Sequence, residues 1–498
     1  MDDLQVLKSK AINGSLWGIL ERFSIQIIQF IVGIILARIL GPKEFGLNAI
    51  TVVFAGVIQA IIDAGFEKSI IYQKEIRSIQ ISTIFYVNLL LGLLMTSILF
   101  IAAPFIAIFF KEEMLTPILR VVSAGIVISA LGQTQRTLLL RDLKFKKLSY
   151  TQILSTLTGG TAGVILACNG FGVWSLVYSI LISQTISLII YWIKAGWYPQ
   201  WQFSFKSIKV MMPYGSKILM TSILYYFNLQ FINVIVGRNY NTVQFGLFNR
   251  GAKLPELITA TIQGIIVKMA FPVFSKLQDD NIKLTYVFKK ALTVTAFFLF
   301  PLIIIVFTCS KNLTILLFTE KWSGSIVFLE LFCIIRLFDP IIGIYKETLL
   351  AKGKASLLFR IFLFIAVLNA LLILVLINFG LINLLIGCLG SMVIQYIIYM
   401  HFISLQLDVK ISTQFGWLLP YLIIFVSTIL LLKLENIYFI SLHLSLIFDL
   451  CWKVVSIVFI YIFLAFQCKI NEVRFLLESV KKIKKDLVNF IKIKMALN

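Results

Sequence analysis

The residues that could do chemistry in this chain are cations and amides set into long greasy runs. From Ser15 to Leu40 the sequence is broken by Ser15, Gly18, Arg22, Gln26, Gln29 and Gly33 at spacings of three or four. That spacing stacks them into one stripe along a helix. A second stripe, Ser216, Ser222, Tyr226, Gln230 and Asn233, again falls on one helical face. A third run, Val243 to Lys268, carries Asn249, Arg250, Lys253 and Glu256. These four fall within an arc of about 120° at 3.6 residues per turn. An Arg at mid-bilayer costs about 2.5–3.5 kcal/mol on insertion scales. The stripes are therefore expected to face other helices or a wet cavity. They offer charge compensation and hydrogen bonds to a polar guest.

Bond-making chemistry finds no support. The two His, His401 and His443, are isolated, and no metal-ligand cluster or phosphate-cradling loop is present. The six Cys are scattered without a CxxC pair and read as small packing residues. Asp63, Glu256 and Asp339, with Glu21, are acids in or near apolar runs and are candidates for coupling to a proton or sodium ion. The bland reading of each is a salt-bridged carboxylate. Lys253 and Glu256 sit at i,i+3, as do Arg336 and Asp339, while Asp449 and Lys453 sit at i,i+4.

The elements that must position these groups are membrane helices. The 498 residues are 59% hydrophobic and 14% charged, far from the roughly 25% charge of soluble chains. Fourteen apolar runs are long enough to span. They lie near 15–38, 45–66, 81–109, 115–136, 149–168, 172–193, 213–236, 243–268, 286–308, 325–350, 357–378, 381–402, 414–432 and 445–467. The fourth, eighth and tenth carry charges and are the weakest. The first is too long for a cleavable signal. Threading the chain through these runs puts 31 Lys and Arg on one side and 7 on the other. The basic side is cytoplasmic by the positive-inside rule, so both termini are expected there. This topology accounts for the net charge of +22, and no nucleic acid partner is needed. After Lys469, a basic amphipathic helix is expected to lie on the anionic inner leaflet, in contact with membrane lipids.

The chain also repeats. Arg38 and Phe45-Gly46-Leu47 recur 200 residues on as Arg238 and Phe245-Gly246-Leu247, and Gln29 has its counterpart in Gln230. Two six-helix bundles entering the membrane the same way follow, related by a pseudo-twofold axis along its normal. The expected fold is an all-α polytopic membrane protein with lobes at 1–200 and 201–410. A helix pair at 411–467 and a basic tail at 468–498 complete it.

The run Phe245-Gly-Leu-Phe-Asn-Arg-Gly-Ala-Lys-Leu-Pro-Glu-Leu, with Phe271-Pro272 and Ser275-Lys-Leu-Gln278, resembles the Wzx-type polysaccharide exporters. So do Ala37-Arg-Ile-Leu-Gly-Pro-Lys-Glu-Phe-Gly, Arg141-Asp-Leu-Lys-Phe-Lys-Lys-Leu, Gly172-Val-Trp-Ser-Leu-Val and Glu320-Lys-Trp. The colanic and teichuronic acid branch of the multidrug/oligosaccharidyl-lipid/polysaccharide (MOP) superfamily is the nearest likeness, over residues 12 to 355. The resemblance implies a MATE-like fold in a bacterial inner membrane. It implies a flippase for undecaprenyl-pyrophosphate-linked oligosaccharide in O-antigen, capsule or exopolysaccharide synthesis, beside a polymerase and a chain-length regulator. Arg22, Arg250 and Lys253 would then meet the pyrophosphate or acidic sugars. Gln26, Gln29, Gln230, Asn233 and Asn249 would line the same site and receive hydroxyls. A drug or cation antiporter of the superfamily is the alternative, and it should line its cavity with carboxylates. A polymerase or ligase is disfavoured because no long outer loop is present.

Overall fold

The computed structural model describes residues 2–65, 70, 76–206, 209, 226–439, 446–470 and 472, and every regular element among them is helical. Ser216 and Ser222, the side chain of Asp63 and the basic tail beyond Glu472 lie outside the described residues and side chains. The chain divides into two compact units, residues 1–249 and 250–498. The first holds α1 (Asp2–Ile39), α2 (Pro42–Gly65), α3 (Ser78–Phe110), α4 (Leu115–Arg141), α5 (Phe145–Cys168) and α6 (Val173–Ala195). Helical residues 226–239 and the start of α7 (Thr242–Lys276) complete it. The second continues α7 and adds α8 (Asn281–Thr308), α9 (Ser310–Phe318), α10 (Ile326–Arg336), α11 (Asp339–Ala351), α12 (Ala355–Leu376), α13 (Leu381–Leu407), α14 (Ile411–Phe439) and α15 (Leu446–Gln467).

Among the described residues, 11 helices are long and apolar enough to cross a bilayer: α1, α3 to α8 and α12 to α15. The chain is a multi-pass integral membrane protein. The run expected at 325–350 is broken into α10 and α11 at Leu337 and Phe338. Pro340 causes the restart, because a proline in the first turn has no N–H to lose to the helix and its fixed φ suits a helix start.

In the first unit α4 is the hub, packed against α2, α3 and α6. Its first half is apolar, with Leu115, Ile118, Leu119, Val122 and Ile126 buried; its second half buries Gln133, Thr134, Gln135 and Thr137. The α5–α6 seam is built from small residues. A Cβ on Gly159 or Gly163 would strike Ser175, Ser179 or Ser183 of α6, and this closeness lets two membrane helices gain dispersion contacts without a hydrophobic drive. Elsewhere in the unit α2 and α7 cross at Gly46 and Gly246. A Cβ on Gly46 would strike the Thr242 carbonyl, and one on Gly246 the Pro42 carbonyl. The contact is reciprocal, and both pairs differ by the 200 residues of the sequence repeat.

In the second unit α8 is the hub. Leu284, Phe288, Leu292, Ala296 and Phe300 recur every four residues along its buried face. Phe288 meets Tyr345 of α11 edge to face at 5.0 Å. Asp280 starts α8 by accepting the Lys283 backbone N–H at 3.0 Å.

Candidate functional site

The α1 stripe is not the face that packs on α5. That face carries Gly14 against Phe145, Glu21, and Val32 against Gly160. The Ser149 hydroxyl donates to Glu21 Oε2 at 2.8 Å. The stripe lies one helical position round from this seam. Arg22 and Gln29 are exposed and Gln26 is half-buried. In residues 226–239, the Tyr226 hydroxyl lies against Gly56 of α2. Asn233 Nδ2 donates to Gln230 Oε1 at 2.7 Å, so these two amides form one hydrogen-bonded pair. Asn249 turns back on its own helix, donating to the Phe245 carbonyl at 3.0 Å.

The second unit treats its charges differently. Arg250 is only 9% exposed, with its guanidinium 3.7 Å from the centre of the Phe318 ring and 5.4 Å from that of Trp322. Two aromatic faces give such a cation an electrostatic seat. One turn on, Lys253 is exposed and pairs with Glu256 at 3.5 Å. Arg336 binds Asp339 at 3.0 Å across the α10–α11 break, and Glu256 adds to the field at Arg336. Lys453 binds Asp449 at 2.8 Å, while Asn312 donates to the same carboxylate at 2.6 Å. The pairings expected from i,i+3 and i,i+4 spacing are all present. Glu256 and Asp339, candidates for ion coupling, are both partnered carboxylates. All six Cys are free thiols.

A polar hollow that the sequence did not single out lies inside the first unit. A cavity of about 280 Å³ is lined by α2, α4, α5 and α6, with Gln59, Gln133, Arg136, Gln152, Gln184 and Tyr191 among its walls. A second, of about 370 Å³, shares Arg136, Gln152 and Tyr191 and adds Glu21 and Phe145. Arg136, at the end of the apolar run expected at 115–136, lies inside α4 and beside the Tyr191 hydroxyl. Gln152 Nε2 donates to that hydroxyl at 2.6 Å. The signal was present as Gln133, Gln135 and Arg136 within an apolar run. It was obscured because the partner residues come from other helices.

Many apolar helices with cationic and amide groups among them define a polytopic membrane protein. The chain belongs to the polysaccharide biosynthesis protein family, which it matches over residues 35–327. It is 26% identical over 370 residues to the lipopolysaccharide biosynthesis protein WzxC of Escherichia coli (strain K12), covering 72% of this chain and 74% of that one. It is 24% identical over 355 residues to the teichuronic acid biosynthesis protein TuaB of Bacillus subtilis (strain 168), covering 71% and 74%. Its fold is shared with the lipid II flippase MurJ in an inward closed conformation, with a TM-score of 0.68 at 13% identity over 91% of this chain and 98% of that one.

Proposed function

We propose that this protein is a flippase that moves an undecaprenyl-pyrophosphate-linked oligosaccharide repeat unit from the inner to the outer leaflet of the bacterial cytoplasmic membrane. The observation that carries this reading is the family match over residues 35–327 on a multi-pass helical chain. It favours polysaccharide export over drug or cation antiport. The physical task suits the side chains. A pyrophosphate and its sugars cannot enter hydrocarbon unaided, because burying an unpaired charge or polar group is prohibitive. Arg forks and amides take over the role of water during the passage.

In this reading Arg22, Arg250 and Lys253 meet the pyrophosphate or acidic sugars, while Gln26, Gln29, Gln230, Asn233 and Asn249 take sugar hydroxyls. Arg250 acts from its aromatic seat, Arg22 and Lys253 from exposed positions. Asp63, Glu256 and Asp339 are the acids that would couple an ion. The full architecture is fourteen spans: lobes at 1–200 and 201–410, a helix pair at 411–467 and a basic tail at 468–498 on the inner leaflet. The reciprocal Gly46–Gly246 crossing supports a pseudo-twofold axis along the membrane normal. Both termini are cytoplasmic, and a polymerase and chain-length regulator act beside the carrier. Alternating access moves the cargo, since one cavity open to both sides would leak.

Deletion of the gene, followed by extraction of lipid-linked intermediates, tests the function. Complete repeat units should accumulate on the inner leaflet and clear on complementation. Unchanged intermediates would reject the reading. Arg22→Ala and Arg250→Ala should each fail to complement at normal protein levels, and full export by both would reject the site assignment.

A further inference from the structure

We propose that the cavity inside the first unit is a binding site for a single neutral sugar ring of the cargo, held by Arg136, Glu21, Gln152 and Tyr191. The proposal rests on the flippase reading for the identity of the cargo, and on the geometry for the site.

α4 presents small residues where α6 passes, so the two helices approach closely: Gly125 lies against Gln184, and Gly132 against Leu188 and Tyr191. Trp192 Nε1 donates to the Leu131 carbonyl at 3.1 Å and fixes α6 on α4 beside the opening. The upper chamber of about 280 Å³ equals about nine liquid waters at roughly 30 Å³ each, comparable to a ring of a dozen heavy atoms. Its walls mix donors with acceptors. Gln133, Gln152 and Gln184 supply amides that do both, and Ser129, Ser183, Ser187 and Tyr191 supply hydroxyls that also do both. Sugar hydroxyls need that mixture, since each donates and accepts.

Charge decides the class of ligand. A site for a bare anion would gather cations and exclude carboxylates. Here Glu21 lines the lower chamber together with Arg136, so the hollow holds one charge of each sign. A guanidinium has five donors, and a carboxylate about four acceptor positions. Lining the same chamber, they can clasp neighbouring hydroxyls of a ring. Tyr191 and Phe145 offer apolar faces to the C–H side of such a ring.

Placement agrees with a loading role. Glu21 lies near the start of the apolar part of α1, Leu16–Ile39, Arg136 five residues before the end of α4, Gln152 in the second turn of α5 and Tyr191 in the last turns of α6. The chain reverses at each short connection, so these positions share one end of the unit. The charge asymmetry assigns that end to the cytoplasm, where a cargo sugar would arrive first.

The test uses the purified full-length protein in lipid nanodiscs and saturation-transfer NMR with D-glucose, D-galactose and N-acetyl-D-glucosamine, alongside sodium phosphate read by phosphorus NMR. At least one sugar should bind, while any phosphate signal, which belongs to Arg22, Arg250 and Lys253, should survive the cavity variants. Arg136→Gln should weaken that binding at least about tenfold, the loss expected for one charge-assisted hydrogen bond. Gln152→Leu, which removes no charge, should weaken it in the same direction, and Lys144→Gln, outside the cavity, should not. No binding of any of the three sugars, binding of phosphate alone, or sugar binding indifferent to both cavity variants would overturn the site. The deletion experiment separates the two failures. Accumulated intermediates with no sugar binding would sink the cavity and leave the flippase standing. Unchanged intermediates would sink the flippase, whatever the cavity binds.

Discussion

Each of the two units holds a different arrangement of charge. In the second, Lys253–Glu256, Arg336–Asp339 and Lys453–Asp449 pair with neighbours three or four residues away. In the first, Arg136 and Glu21 sit on different helices and share a hollow with amides from two more. A local pair largely neutralises itself over one turn of chain, with Asn312 adding a hydrogen bond to the Asp449 carboxylate. A dispersed set holds a space open and leaves donors and acceptors facing it. Nearness in sequence let the local pairs be read in advance, whereas a set assembled by packing, such as the Arg136 hollow, is seen only in the structure.

The sharpest way to break this contrast is to cut a local pair. Lys453 and Asp449 have side-chain exposures of 17% and 30%, so losing one partner strands the other in a poor environment. Asp449→Asn should lower stability by about 2–3 kcal/mol, read as a fall in melting temperature of the solubilised protein. Asp449→Asn with Lys453→Met should recover most of that loss. Absence of recovery would show that the pair does more than neutralise itself.

The dispersed set should answer differently. Arg136→Gln should reduce export about tenfold, the effect of roughly 1.4 kcal/mol, with little change in melting temperature. Adding Glu21→Gln should not restore export, because the two act on a guest and not chiefly on each other. Recovery by the double variant would place them with the structural pairs. A smaller effect is expected at Lys253, whose side chain is 66% exposed in its pairing with Glu256. Lys253→Gln should change stability by less than about 0.5 kcal/mol, so any larger change in export would belong to cargo contact.

The smallest effect is a pH dependence at the start of α8. The backbone N–H of Lys283, helped by its ammonium, holds the Asp280 carboxyl below its ordinary 3.8. A carboxyl lowered on folding contributes fully above that ordinary value and loses its contribution as pH falls through the lowered one. Asp280→Asn should therefore remove a small stabilisation at neutral pH, change nothing below the lowered value, and so flatten the acid limb of stability. An equal loss at both pH values would contradict the cap.

Much of this was legible beforehand, and for identifiable reasons. The α1 stripe of Arg22, Gln26 and Gln29 shows because a helix repeats every 3.6 residues. The 200-residue repeat set Gly46 and Gly246 in equivalent places of the sequence, and the two meet in a reciprocal close contact. The aromatic seat of Arg250 was hidden because Phe318 and Trp322 are about 70 residues away in sequence. The Arg136 cavity was hidden for the same reason, its walls being drawn from α1, α2, α4, α5 and α6. Its central residue also sat near a helix end, where a charge looks like loop. The α10–α11 break escaped because hydropathy sees composition and not the restart at Pro340.

The most direct measurement places the purified protein in liposomes with a fluorescent undecaprenyl-pyrophosphate-linked oligosaccharide and follows, by leaflet-selective quenching, which side holds the sugar. Protein-dependent movement between leaflets, lost with Arg22→Ala, is the result the account predicts. Headgroups that stay in their original leaflet with the folded protein present would contradict it.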